Sequence, residues 1–218
     1  MSQDELSSVV YLVVIMMVTY LFYKPNQKKL FLRASNRYVV FVSLWFFIWS
    51  AALVSQAYMH LVMNWYTAPL FIAISALWFV SPYLVRLYGH APDPSFSESP
   101  TRILIRFEPK IYVAKYFEIL FQQSMFVYIL FVLLFGMPYW QIILWFTLIV
   151  GFIHLLNFPF TGAKDTLFYF YLSLPMAILF GILILQGNVF ISMIIHLVFY
   201  LTFNGRHWFI LRKQTHEI

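Results

Sequence analysis

The chain contains no cysteine. Disulfide scaffolds and thiolate-ligated metal sites are therefore excluded, while the redox compartment stays open because a membrane bundle needs neither. Charge is nearly as scarce: Asp, Glu, Lys and Arg make up 10% of the 218 residues, against 62% hydrophobic residues and a mean hydropathy of +0.80. A soluble globule draws roughly a quarter of its residues from these four types, so the chain lacks the charge to cover a water-facing surface. Acid is scarcer than base, with 8 Asp and Glu beside 14 Lys and Arg and a formal charge of +6. The basic excess is not gathered into a block interleaved with polar sequence, so no nucleic-acid partner is expected. What is left is an all-α polytopic membrane bundle, whose first partner is the lipid bilayer.

Crossing the hydrocarbon core takes about 20 apolar residues. Apolar runs fall near 8–23, 38–63, 66–88, 111–135, 139–157, 166–185 and 189–204, which predicts about seven transmembrane helices. Asp4 and Glu5 precede the first run, which lacks a basic leader and a small-residue cleavage site, so it is expected to be a retained span. Lys24, Lys28, Lys29, Arg33 and Arg37 follow that run, and Arg86, Arg102, Arg106, Lys110 and Lys115 surround the connection after the third. Lys164 follows the fifth run, and Arg206, Arg212 and Lys213 follow the seventh. All 14 basic residues thus fall on one side. The connections near Asn64, Gly136-Met137-Pro138 and Gln186-Gly187-Asn188 carry none. The positive-inside rule makes the basic side cytoplasmic, with the N-terminus outside and the C-terminus inside. Trp65-Tyr66, Tyr139-Trp140 and Trp208 read as headgroup-level anchors. The expected organisation is an N-terminal three-helix membrane region over 1–88, an irregular cytoplasmic loop over 89–110, and a polar-centred core with a cytoplasmic tail over 111–218.

Seven of the 8 acidic residues fall in tails, loops or helix ends, and Glu118 alone lies within a span. At 1.5 Å per residue it sits ~10 Å from the cytoplasmic start of the fourth helix, and His196 of the seventh helix sits ~12 Å from the same side. His154 lies near the cytoplasmic end of the fifth helix. A charge at such depth costs a few kcal/mol, so it normally faces the bundle interior and marks a function. Gln122 follows Glu118 at i+4, and Tyr200 follows His196 at i+4, which puts each pair on one helix face. Two readings are open at this point. The residues can line a wet polar pocket, or Lys115 at i−3 can simply pair with Glu118 while Gln122 bonds a neighbouring helix as intramembrane glue. His60, His90, His207 and His216 lie at interfaces or in tails and receive no chemical role. Two His and one Glu form a legitimate zinc donor set, yet the spacing is not H-E-x-x-H, and neither metal nor other cofactor is expected.

The segment Phe117-Glu118-Ile119-Leu120-Phe121-Gln122-Gln123 resembles the E-E-x-x-x-R motif region of the CAAX-protease and bacteriocin-processing family (CPBP, also called Abi), which often reads EEILFRG. Val150-Gly151-Phe152-Ile153-His154 is similar to that family's F-x-x-x-H motif. Ala177 to Leu201, AILFGILILQGNVFISMIIHLVFYL, resembles its glycine-containing sixth helix, short turn and third-motif helix bearing a His. The resemblance covers about Lys115 to Phe203 and makes 111–218 a CPBP/Abi-like core. It implies a cytoplasmic bacterial membrane and a glutamate-type intramembrane endopeptidase that needs no metal. On that basis Glu118 and His154 activate water, while His196 and the Tyr200 hydroxyl donate to the oxyanion, with Phe117, Gln122 and Gln123 lining the pocket. The chain departs from the motifs at five places. Phe117 stands for the first Glu, Gln122 for the Arg, Gln123 for the usual Gly, Val150 for the motif Phe and Tyr200 for an Asn.

The functional expectation is therefore a divergent endopeptidase acting on a membrane-delivered peptide. The alternative is a catalytically inactive pseudoprotease, a membrane binding or scaffold protein that keeps the fold and the groove. A third reading, a proton- or solute-coupled transporter or assembly factor, would use Glu118, Gln122 and the two His as a relay.

Overall fold

The computed structural model describes residues 6–19, 21, 35–88, 109–156, 158 and 162–216. Among them there is no strand, and the chain forms helices α1 (Leu6–Thr19), α2 (Asn36–Ala57), α3 (Ala68–Tyr88), α4 (Pro109–Tyr128), α5 (Tyr139–Leu155), α6 (Ala163–Leu185) and α7 (Val189–His216). A single 3₁₀ turn, Trp65–Thr67, leads into α3, and α4 runs on into a π turn, Ile129–Leu133. The protein is all-helical, and 4 of its helical stretches are long and apolar enough to cross a membrane: Asn36–Ala57, Trp65–Val85, Pro109–Leu133 and Thr166–Leu185. Leu6–Thr19, Tyr139–Leu155 and Val189–Thr202 are shorter apolar helices. The expected second span, 38–63, ends early at Ala57, because 58–64 form turns that bring Asn64 to the α6–α7 connection. The expected cytoplasmic loop 89–110 lies outside the described residues, apart from Pro109 and Lys110, which begin α4.

Local chemistry sets the helix ends. Ser35 caps α2 by accepting the Tyr38 N–H at 3.2 Å, one of the four donors that a helix start leaves open. The α6–α7 connection is a Schellman turn: Asn188 N–H bonds Leu183 O at 2.8 Å and Gly187 N–H bonds Ile184 O at 3.0 Å. That turn needs a left-handed residue, and Gly187 supplies it at φ +79°. Gly187 O then accepts the Asn64 N–H at 2.9 Å, while the Asn64 and Asn188 side chains bond each other, also at 2.9 Å.

These contacts define one pole of the bundle, which also holds the Tyr128 hydroxyl donating to Ser8 O at 3.0 Å and the His60–Phe135 ring stack at 4.1 Å. The opposite pole carries the basic positions near helix ends: Arg37 in α2, Arg86 in α3, Lys110 in α4 and Lys164 in α6. Antiparallel alternation of the helices is what separates the two poles.

The axis of the bundle is α4. In its most apolar stretch 72% of residues are buried, against 28%, 17% and 28% in the other three long helices. One apolar cluster joins α1, α2, α4, α5 and α6, with Ile15, Phe46, Tyr128 and Phe146 at its centre. A second joins α3, α4 and α7 around Trp78, Tyr112, Ile119 and Leu197, and the Trp78 indole donates to Tyr112 O at 2.9 Å. The N-terminal helices therefore share their core with the C-terminal ones, α2 along α4 and α3 along α7. Helices α5 and α6 pack closely against each other. Gly151 lies against Leu174 and Phe170, and Gly181 lies against Ile143 and Phe146, the close approach that small residues permit between apolar helices.

Candidate functional site in the α4–α7 contact

Helix α4 presents two different faces. Phe117 and Phe121, at i and i+4, turn toward α2, where Phe117 meets Phe47 edge-on at 5.9 Å and Phe121 meets Phe46 at 5.3 Å. Lys115, Glu118 and Gln122, at i, i+3 and i+7, form a separate polar stripe. Lys115 Nζ bonds Glu118 Oε1 at 2.8 Å, and Gln122 Nε2 donates to the same oxygen at 3.3 Å. Lys115 and Glu118 are each only 6% exposed. The sequence had left open whether Glu118 lines a wet pocket or pairs with Lys115, and the geometry realises the pair.

Helix α7 contributes the facing stripe, Ser192, His196 and Tyr200, spaced at i, i+4 and i+8. Gln123 links the two helices. Its amide nitrogen lies 2.9 Å from His196 Nδ1, and its amide oxygen accepts a short hydrogen bond from the Ser192 hydroxyl. Gln123 and Ser192 are both fully buried. The His196 ring is clamped by aromatic rings, stacking on Phe180 of α6 at 5.4 Å and on Tyr200 at 5.6 Å. Lys115 Nζ sits 4.7 Å from the centre of the Tyr200 ring, within cation–π range. His196 thus occupies the meeting point of α4, α6 and α7.

His154 takes a different position. Its Nδ1 is 2.8 Å from Val150 O, one turn back along α5. A carbonyl only accepts, so Nδ1 carries a proton and donates it to this bond. His154 lies within electrostatic range of His196. Among the described residues no three His, Asp or Glu side chains gather in a group that could hold a metal ion.

Of the residues singled out from the sequence, Lys115, Glu118, Gln122, Gln123, His196 and Tyr200 therefore form one connected group, His154 stands beside it, and Phe117 faces α2. Sequence reasoning missed Ser192 and Phe180. Ser192 was legible as the residue one helical turn before His196, whereas Phe180 carries no polar signal that could have marked it. The fold and this group define a helical membrane protein with a buried polar cluster between α4 and α7. Searches against protein families, curated proteins and solved structures find no match for the chain.

Proposed function

We propose that this is a membrane-embedded binding or scaffold protein that resembles the CPBP intramembrane proteases and does not cut its partner. The observation that carries the reading is the state of Glu118, whose Oε1 is held by an ammonium at 2.8 Å and an amide at 3.3 Å. A general base needs a lone pair aimed at water in the substrate's path, and a carboxylate oxygen shared between these two donors is occupied structurally. Phe117, at the place of the family's first Glu, supplies no second carboxylate, and its ring packs toward α2. The partner on this reading is a peptide or membrane-protein segment delivered within the bilayer, with no cofactor. The endopeptidase reading draws on His154, whose ring is oriented by the bond from Nδ1 to Val150 O.

The test removes carboxylate and cation together, because Glu118→Gln alone would strand a buried ammonium. The double variant Lys115→Gln, Glu118→Gln and the single variant His154→Ala are expected to restore wild-type function to cells lacking the protein. A transmembrane peptide incubated with the purified protein in liposomes is expected to stay intact by mass spectrometry. Cleavage by the wild type that vanishes in the double variant would establish the endopeptidase instead.

The same proposal includes seven membrane-crossing helices in a cytoplasmic membrane of bacterial type, with the basic pole at the cytoplasmic face. The support is the charge asymmetry between the two poles. The absence of native cysteine allows a direct check. Met59→Cys, at a position 84% exposed on the pole away from the basic helix ends, is expected to react with an impermeant maleimide added to intact cells. Ala163→Cys, exposed at the start of α6, is expected to react only after the membrane is opened. The reverse pattern would invert the topology, and labelling of both from outside would remove α3, α4 or α5 as a crossing helix.

A further inference from the structure

The interhelical chain from Ser192 through Gln123 to His196 has a directional consequence. The Ser192 hydroxyl donates to Gln123 Oε1, so the amide presents its oxygen to Ser192 and its nitrogen to His196. The NH₂ end then faces His196 Nδ1 at 2.9 Å, and because an amide nitrogen only donates, Nδ1 must accept. A neutral imidazole that accepts at Nδ1 carries its proton on Nε2. All of this happens where water cannot substitute for a missing partner, since Ser192 and Gln123 are at 0% exposure. The stacked rings of Phe180 and Tyr200 hold the imidazole plane, so the ring cannot swing to exchange its two nitrogens.

We infer that Ser192 and Gln123 are positioning residues that hold His196 in the Nε2–H tautomer, making it a fixed hydrogen-bond donor. His154 differs, with a proton on Nδ1. The two imidazoles are thereby unequal: His196 donates from Nε2 to an acceptor oxygen, of the carbonyl or carboxylate class, and His154 donates from Nδ1 to its own helix. Neither assignment depends on whether the protein cuts, binds or transports.

The tautomers are readable directly. The full chain, labelled with ¹⁵N-histidine and held in lipid nanodiscs at neutral pH, gives 6 imidazoles, of which His196 is assigned by its loss in His196→Gln. The wild type is expected to show an unprotonated Nδ1 and a protonated Nε2 at His196. Gln123→Glu presents an acceptor-only carboxylate to Nδ1, and Nδ1 is expected to gain a proton. Ser192→Ala frees the amide to turn over, and the single-tautomer signal is expected to split into two populations, a change that a purely structural serine would not produce. A wild-type His196 protonated at Nδ1, or a folded Gln123→Glu variant whose Nδ1 stays unprotonated, would overturn the inference. The wild-type spectrum decides the matter even where a variant fails to fold.

Discussion

Lys115→Met is expected to cost about 3–5 kcal/mol of stability and Glu118→Leu a similar amount, whereas the double replacement recovers most of the loss. The reason lies in the environment of the pair. Each residue is 6% exposed, so a single replacement leaves the other charge buried without its closest counter-ion. Gln122 supplies one neutral hydrogen bond to Glu118 at 3.3 Å, Tyr200 supplies a ring face to Lys115 at 4.7 Å, and neither carries the counter-charge. Removing both charges eliminates two desolvation penalties together with their mutual attraction, and apolar side chains of similar volume suit the packed α4–α7 contact. The measurement is a double-mutant cycle on unfolding in mixed micelles, followed by loss of helicity. If the double variant loses as much as the two singles added, the charges act independently and the pair is not what stabilises this contact. The cycle also bears on function, because a double variant that is stable and still active removes Glu118 from any chemistry.

Gly181→Leu is expected to destabilise the protein by about 3 kcal/mol, at the upper end of what overpacking in a tight core costs. A Cβ at position 181 would already stand 3.0 Å from Ile143 Cδ1 and 3.0 Å from Phe146 Cδ1. Phe146 has no room to retreat, being at 0% exposure with Phe126 edge-on behind it at 5.3 Å. The three further carbons of leucine must therefore push α6 away from α5. Gly151→Leu acts on the same interface from the other helix, against Leu174 and Phe170. Gly205 serves as the control: a Cβ there meets nothing within 4 Å, and Gly205→Ala is expected to be neutral or to stabilise by up to about 1 kcal/mol. A loss at Gly205 as large as that at Gly181 would mean that something other than the approach of α5 to α6 sets the response, since helix propensity favours both replacements. The separation also carries a functional cost. His154 rides on α5 and Phe180 on α6, so splaying the hairpin moves both relative to His196.

The all-helical, apolar character of the chain, the helix ends where the base collects and the pairing of Lys115 with Glu118 were all within reach of the sequence, for one physical reason. Each depends on spacing along a single helix or on the solvent the helix must face. An i,i+3 ion pair is nearly dictated once the helix forms, and apolar runs of about 20 residues have few alternatives in a chain with so little charge. The composition likewise excluded a soluble fold before any contact was known. Helix ends were less legible. The second helix stops at Ala57, ahead of its apolar run, because Asn64 is drawn into a turn with Gly187 and Asn188, partners more than 120 residues away along the chain.

The identity of the polar cluster depended on tertiary structure in the same way. Gln123 looked like one more pocket residue, since nothing in its own helix states that it meets His196 and Ser192, which lie 73 and 69 positions further on. Phe117 entered the pocket reading through its place in the motif, and one residue along a helix turns a side chain by about 100°, which brings its ring against Phe47 of α2. Local periodicity specifies which residues share a face. Only the packing of α4 against α2 on one side and α7 on the other decides what each face touches, because that choice is made by the summed fit of all the helices and leaves no mark on any one of them.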